Sequence, residues 1–322
     1  MTQDERNESG LPLRFSASAV ITEAAFTPKT MAANGKLAIP TPIFWGTNAL
    51  AVLLLISSII GLSCGADGFY AANPTTLPQI LGQDLIALIL GVPLLLGCVR
   101  LTQKGSLRGA LLWTGILFYF AYSYYFYVVG VRFNALFWAY IAIVALSLYS
   151  LFGLLIHLQE IAIQDCLSRK TPTKPIAAFL LAMAGMFTAL WAGLSLSKLF
   201  TESSLSPVER HVIGLDGMVL LPLMFIGGWL LWQKRSWGYL LAGILLTKLA
   251  LLGFTLLVNT GLLLIWRQPV DAVQTVLFAV IMVGALMGLI AFLDGIAPPA
   301  GGMLMENGST PSSPAEPENE WP

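Results

Sequence analysis

Residues 237–258 read WGYLLAGILLTKLALLGFTLLV, a run with one charge, Lys248, and no proline. A helix of about 22 residues is roughly 33 Å long, enough to cross the roughly 30 Å hydrocarbon core of a bilayer. The same texture recurs along the chain. Uncharged or nearly uncharged runs fall at Ile43–Ala66, Asp84–Leu101, Gly109–Gly130, Asn134–His157, Ile176–Leu199, Gly214–Trp232, Trp237 to Val258 or Trp266, and Val273–Leu293. Inside hydrocarbon every backbone N–H and C=O must be bonded within the protein, and a helix achieves this within one segment. The expected fold is all-α, a polytopic membrane bundle of eight transmembrane helices. Pro93 and Pro222 predict kinks in the second and sixth.

Composition agrees. Of 322 residues, 57% are hydrophobic and 11% charged, with mean hydropathy +0.77. Soluble domains carry about 25% charged residues. So little charge excludes a soluble enzyme, a DNA-binding protein and a disulfide-rich secreted domain. Lys+Arg and Asp+Glu number 17 each, so no field draws a nucleic acid. Cys64, Cys98 and Cys166 form no CxxC pair, so neither a zinc knuckle nor a redox pair is written here. The expected partners are the lipid bilayer and a small solute or ion. No cofactor or metal is expected, and no oligomer is indicated.

Residues 1–42 form a polar tail without the pattern of a signal peptide. The expected organisation continues with a first four-helix unit over 43–157, a cytoplasmic linker over 158–175, a second unit over 176–294 and an acidic tail over 295–322. Both tails are expected to be disordered, because they hold too little apolar surface to offset ordering entropy.

The two units carry matching punctuation. Gly82-Gln83-Asp84 precedes the second run and Gly214-Leu215-Asp216 the sixth. Gln103-Lys104-Gly105-Ser106 and Gln233-Lys234-Arg235-Ser236 follow those runs, and Gly109-Ala110-Leu111-Leu112 and Gly238-Tyr239-Leu240-Leu241 come next. Apolar helices resemble each other by chance, but polar punctuation in one order does not. Four spans return the chain to the same side, so the expected arrangement is two parallel four-helix repeats about an axis along the membrane normal. Arg6, Arg14, Lys29, Lys36, Arg100, Lys104, Arg108, Arg169, Lys170, Lys174, Lys234 and Arg235 fall on one side of such a bundle, and Arg132, Lys198, Arg210 and Arg267 on the other. Twelve against four places both termini in the cytoplasm.

Lys248 is the leading candidate for function. It stands ten residues past Gly238, about 15 Å into the bilayer. A charged lysine there costs about 2.5–3.5 kcal/mol on insertion scales, so it should face the bundle interior or be neutral. A lysine satisfied by hydroxyls and carbonyls is the plain alternative. No carboxylate is expected at its depth. Tyr119, ten residues past Gly109, occupies the matching position, and Tyr122 and Ser123 follow it in a run of five tyrosines in nine residues. Tyr119 and Tyr122 share a helix face, and their hydroxyls need partners away from water. Tyr124, Tyr125 and Tyr127 fit an interfacial aromatic belt. The candidate binding residues are thus Lys248, Tyr119, Tyr122 and Ser123, with Asp84 and Asp216 as helix caps or an acidic entrance at the outer rim. His157 and His211 read as solvated loop residues. No HExxH, P-loop or GxSxG is present, so no catalytic residue is assigned.

Gly82-Gln83-Asp84, Gly105-Ser106-Leu107-Arg108-Gly109, the aromatic run ending at Gly130, Phe133–Phe137, and Leu221–Gly253 with Trp237-Gly238-Tyr239 and Lys248 carry a resemblance over about two-thirds of the chain. In these residues it resembles an uncharacterised group of bacterial polytopic inner-membrane proteins. That resemblance implies the architecture and a bacterial inner membrane, and no catalytic residue. Three functions remain open: a small-solute or ion transporter around Lys248, a membrane sensor or assembly partner, and a membrane enzyme or pigment protein acting through Lys248.

Overall fold

The structure is a computed structural model that describes residues 39–65, 69–70, 76–159, 163–168 and 171–296. Among these residues eight long helices follow in order: α1 Thr41–Cys64, α2 Leu77–Gln103, α3 Leu107–Gly130, α4 Phe137–Leu158, α5 Thr173–Phe200, α6 Pro207–Trp232, α7 Ser236–Ile265 and α8 Ala272–Asp294. All but α3 are long and apolar enough to cross a membrane, which fits an integral, multi-pass membrane protein. The expected tails lie almost wholly outside the described residues.

The centre of the bundle is the pair α3 and α7. Helix α3 packs on α2, α4 and α7, and α7 packs on α2, α3, α6 and α8. Gly115 brings the pair together, since a Cβ there would overlap the Thr247 side chain. Small residues let helix backbones approach in this way where lipid supplies no hydrophobic drive. From Gly109 to Tyr124 nearly every residue of α3 is buried. Protein rather than lipid surrounds it, so it can afford the tyrosines that lower its hydropathy. The outer helices turn Leu, Ile, Val and Phe outward instead, as at Val52, Ile56, Phe152, Leu196, Val276 and Ile290.

Two helices begin earlier than the apolar runs indicated. α2 starts at Leu77 and α6 at Pro207, so Asp84 and Asp216 lie inside helices rather than ahead of them. At the start of α6, Ser206 and Glu209 form a reciprocal capping box. His211, expected in a loop, is therefore helical, and His157 lies in the last turn of α4 with Nδ1 2.7 Å from the Gly153 carbonyl.

The prolines are absorbed by π turns. Ala87–Gly91 and Asp216–Leu220 are π-helical, with the amides of Val92 and Leu221 donating five residues back to Ala87 and Asp216. Pro93 and Pro222 follow at once. A proline inside a helix has no N–H to give and collides with the carbonyl four residues back; the extra residue of a π turn shifts that carbonyl. The α-helix resumes directly after each π turn.

These features recur at a spacing of 129 residues: the π turns, Pro93 with Pro222, the left-handed Gly105 with Lys234 (φ 88 and 58), and Gly109 with Gly238. Two of the sequence matches fall out of that step. Asp84 and Asp216 are 132 residues apart, and the Gln-Lys-x-Ser motifs 130. Asp84 consequently precedes its π turn, whereas Asp216 begins one.

Around the connection between the two halves, Ser168 donates to the Gly295 carbonyl at 2.7 Å and Leu167 bridges Ile296. The Arg108 guanidinium donates twice to the Ile296 carbonyl, at 2.6 and 3.2 Å. Arg108 thus ties the end of α8 to the start of α3.

Candidate functional site

Buried polar groups gather along α3 in three places, each joining it to different helices. In the first, Lys248 of α7 lies with Nζ 3.7 Å from the centroid of the Tyr122 ring. A cation over an aromatic face is attracted by the ring quadrupole. The Tyr122 hydroxyl donates to Asp216 Oδ1 at 2.6 Å, and the Trp191 indole N–H of α5 donates to Asp216 Oδ2 at 2.9 Å. Four helices, α3, α5, α6 and α7, therefore meet at one amine and one carboxylate.

Lys248 is 0% exposed, and its Nζ has no hydrogen-bond partner among the described residues. An ammonium in that state forgoes both water and acceptors, a costly arrangement in a low dielectric. Asp216 is the charged group that acts on it electrostatically. This corrects the expectation that no carboxylate shares the depth of Lys248. Asp216 lies nine residues past the start of α6 and Lys248 twelve residues past the start of α7, which brings both toward the bundle middle. It also corrects the reading of Asp216 as a cap or rim residue, since both carboxylate oxygens are held by side chains of other helices.

In the second place, Tyr119 does not join Lys248. Its hydroxyl lies 2.7 Å from Thr255 Oγ1 of α7 and accepts from the Gln83 amide of α2 at 2.8 Å. Thr255 donates its own proton to the Leu251 carbonyl at 2.9 Å. The bond is thereby oriented: Tyr119 donates to Thr255 and accepts from Gln83, so the hydroxyl is satisfied. Ser123, one turn further on, is buried beside Tyr119.

The third place surrounds Asp84, which is 0% exposed. Tyr70 donates to its Oδ2 at 2.5 Å, and the Tyr127 hydroxyl lies 2.9 Å from Oδ1 and 3.0 Å from the Ile80 carbonyl. Tyr124 stacks on Tyr127 with ring centroids 4.7 Å apart, and Tyr140 of α4 is 5.0 Å from Tyr127. Asp84 is neither a cap nor an open entrance. Tyr124 and Tyr127, expected in an interfacial belt, are buried; Tyr125 is half-buried and lines a groove of about 360 Å³ between α3 and α4 with Val128, Val144 and Phe152.

Sequence reasoning did not find Trp191, Gln83, Thr255 or Tyr70. The available signal was arithmetic: two aspartates and an excess of tyrosines in apolar surroundings demand each other, because buried acceptors require donors. Among the described residues no group of His, Cys, Asp and Glu is arranged to hold a metal ion. Comparison of the chain with protein families, with curated proteins and with solved structures finds no match.

Proposed function

We propose that this membrane protein transports a small solute or ion, that its site is the Lys248–Tyr122–Asp216 cluster, and that a proton moves on that cluster. The observation that carries the reading is the Lys248 amine, buried at mid-helix beside a buried carboxylate and without a hydrogen-bond partner among the described residues. Ionisable residues at membrane depth mark substrate and proton pathways more often than scaffolding. Such a group binds a proton or an anion reversibly at little structural cost, because nothing else depends on its hydrogen bonds. The described conformation is closed around Lys248, as an occluded member of an alternating cycle would be. The same closure supports a second reading, a sensor or assembly partner without transport: Lys248, Tyr119 and Asp84 all have no accessible surface.

The test uses the full-length protein in liposomes that hold an internal pH dye, with a potassium diffusion potential set by valinomycin. Internal pH should change several-fold faster than in protein-free vesicles. Equal rates would remove proton movement and favour the second reading.

In this reading α3 is the eighth crossing, and both termini face the cytoplasm of a bacterium from its inner membrane. The 24 residues of α3 and its packing on α2 and α4 support the crossing. The excess of Lys and Arg on the N-terminal side supports the orientation. A reporter active only in the periplasm, fused to the C-terminus, should give no signal; a strong signal would reverse the topology. The two halves are read as parallel repeats. Support comes from the features spaced by 129 residues and from crossed packing, in which α2 of one half lies on α7 of the other and α6 touches α3.

A further inference from the structure

The geometry points to Asp84 as a proton-binding site separate from the Lys248 cluster, in which the carboxyl group takes up and releases a proton and the hydroxyls of Tyr70 and Tyr127 follow it. This does not rest on the transport reading. Asp84 is fully buried, and its neighbours are hydroxyls and aromatic rings. The groups facing it can be taken element by element. The segment before α2 contributes Tyr70; α3 contributes Tyr124 and Tyr127; α4 contributes Tyr140. Helix α1 carries no charged residue, and the one charged residue of α7 is Lys248, which lies over Tyr122 instead. Among the described residues no cation is paired with the carboxylate.

A carboxylate in a box of four tyrosines has two states. Ionised, it accepts a hydrogen bond at each oxygen, which is the arrangement seen. Two neutral donors offset only part of the cost of burying an unpaired charge. Protonated, it carries no charge but becomes a donor at one oxygen. One tyrosine must then accept from it and redirect its own proton. Tyr127 has an alternative acceptor at hand, the Ile80 carbonyl at 3.0 Å. The box can therefore pass between the two states by turning hydroxyls, without separating helices. Gly61 of α1 leaves the room, because a Cβ there would overlap the Tyr70 hydroxyl and the Asp84 carboxyl group. Asp216 differs: a buried amine lies within its electrostatic reach, and an indole that cannot accept holds one of its oxygens.

The test is infrared difference spectroscopy of the full-length protein in nanodiscs, titrated across pH with no added ligand. A carbonyl-stretch band of a protonated, buried carboxylic acid should grow on acidification and be lost in Asp84→Asn. Asp84→Glu, which keeps the acid, should move the band rather than remove it. Tyr127→Phe should displace both its frequency and its midpoint, and Asp216→Asn should leave it in place. If Asp84→Asn does not fold, displacement of the band by Tyr127→Phe and not by Asp216→Asn decides the matter equally, and a band that Tyr127→Phe leaves in place would overturn the assignment. A band unchanged in Asp84→Asn, or absent at every pH, would overturn the assignment. Because the readout is the carboxyl group and not flux, this site can fail while transport stands, and the reverse.

Discussion

Lys248→Met is expected to melt no lower than the wild type and to abolish proton movement in the liposome assay. Methionine is apolar and similar in length, so it fills the space over Tyr122 without a stranded amine. Removing a buried amine that no hydrogen bond satisfies relieves its desolvation cost. Asp216 keeps its donors Tyr122 and Trp191 in the variant, so its loss is confined to the neighbouring positive charge. Lys248→Arg should also be inactive, because a guanidinium does not give up its proton. Two outcomes would count against the proposed site. A stable and active Lys248→Met leaves the lysine without a role. A variant destabilised by about 3–5 kcal/mol, the cost of breaking a buried ion pair, makes the lysine a structural counter-charge for Asp216.

Gly238→Ala is expected to be among the most damaging single-methyl changes in the protein. The chain leaves α6 at Trp232, turns through a left-handed Lys234 and enters α7 at Ser236. A Cβ on residue 238 would lie within the backbone of Leu230 and Leu231. A side chain could rotate away; a helix backbone cannot, so α6 and α7 must separate. Overpacking typically costs about 1–3 kcal/mol, and a backbone obstacle puts this substitution at about 3 kcal/mol. Thermal unfolding in detergent reads the effect. Gly185→Ala is the control, because nothing lies within 4 Å of its added Cβ. Equal melting of the two variants would refute the close approach. Gly109 stands at the corresponding turn between α2 and α3, packed against Leu101 and Thr102, so the glycine in each match has a steric cause.

A helical membrane protein was legible from the sequence, because span-length runs without charge have few other ways to satisfy a backbone in hydrocarbon. The sequence also marked Lys248, since one charge in an apolar run needs no partner to be conspicuous. Helix ends were less legible. The aspartates of α2 and α6 interrupt the apolar pattern, so both helices read as shorter than they are; only donors from other helices make a carboxylate tolerable there. Which polar group meets which was not legible at all. Tyr119 and Lys248 hold matching places in the chain, yet Tyr119 turns to Gln83 and Thr255 while Lys248 turns to Tyr122. Asp84 and Asp216 sit in similar motifs, yet the three-residue difference in their spacing from the π turns gives them different surroundings. Hydropathy is a property of each segment, readable along the chain. Hydrogen-bond pairing depends on helix rotation and packing, which local sequence does not encode, so only the tertiary structure decided that one carboxylate sits near an amine and the other lies among tyrosines.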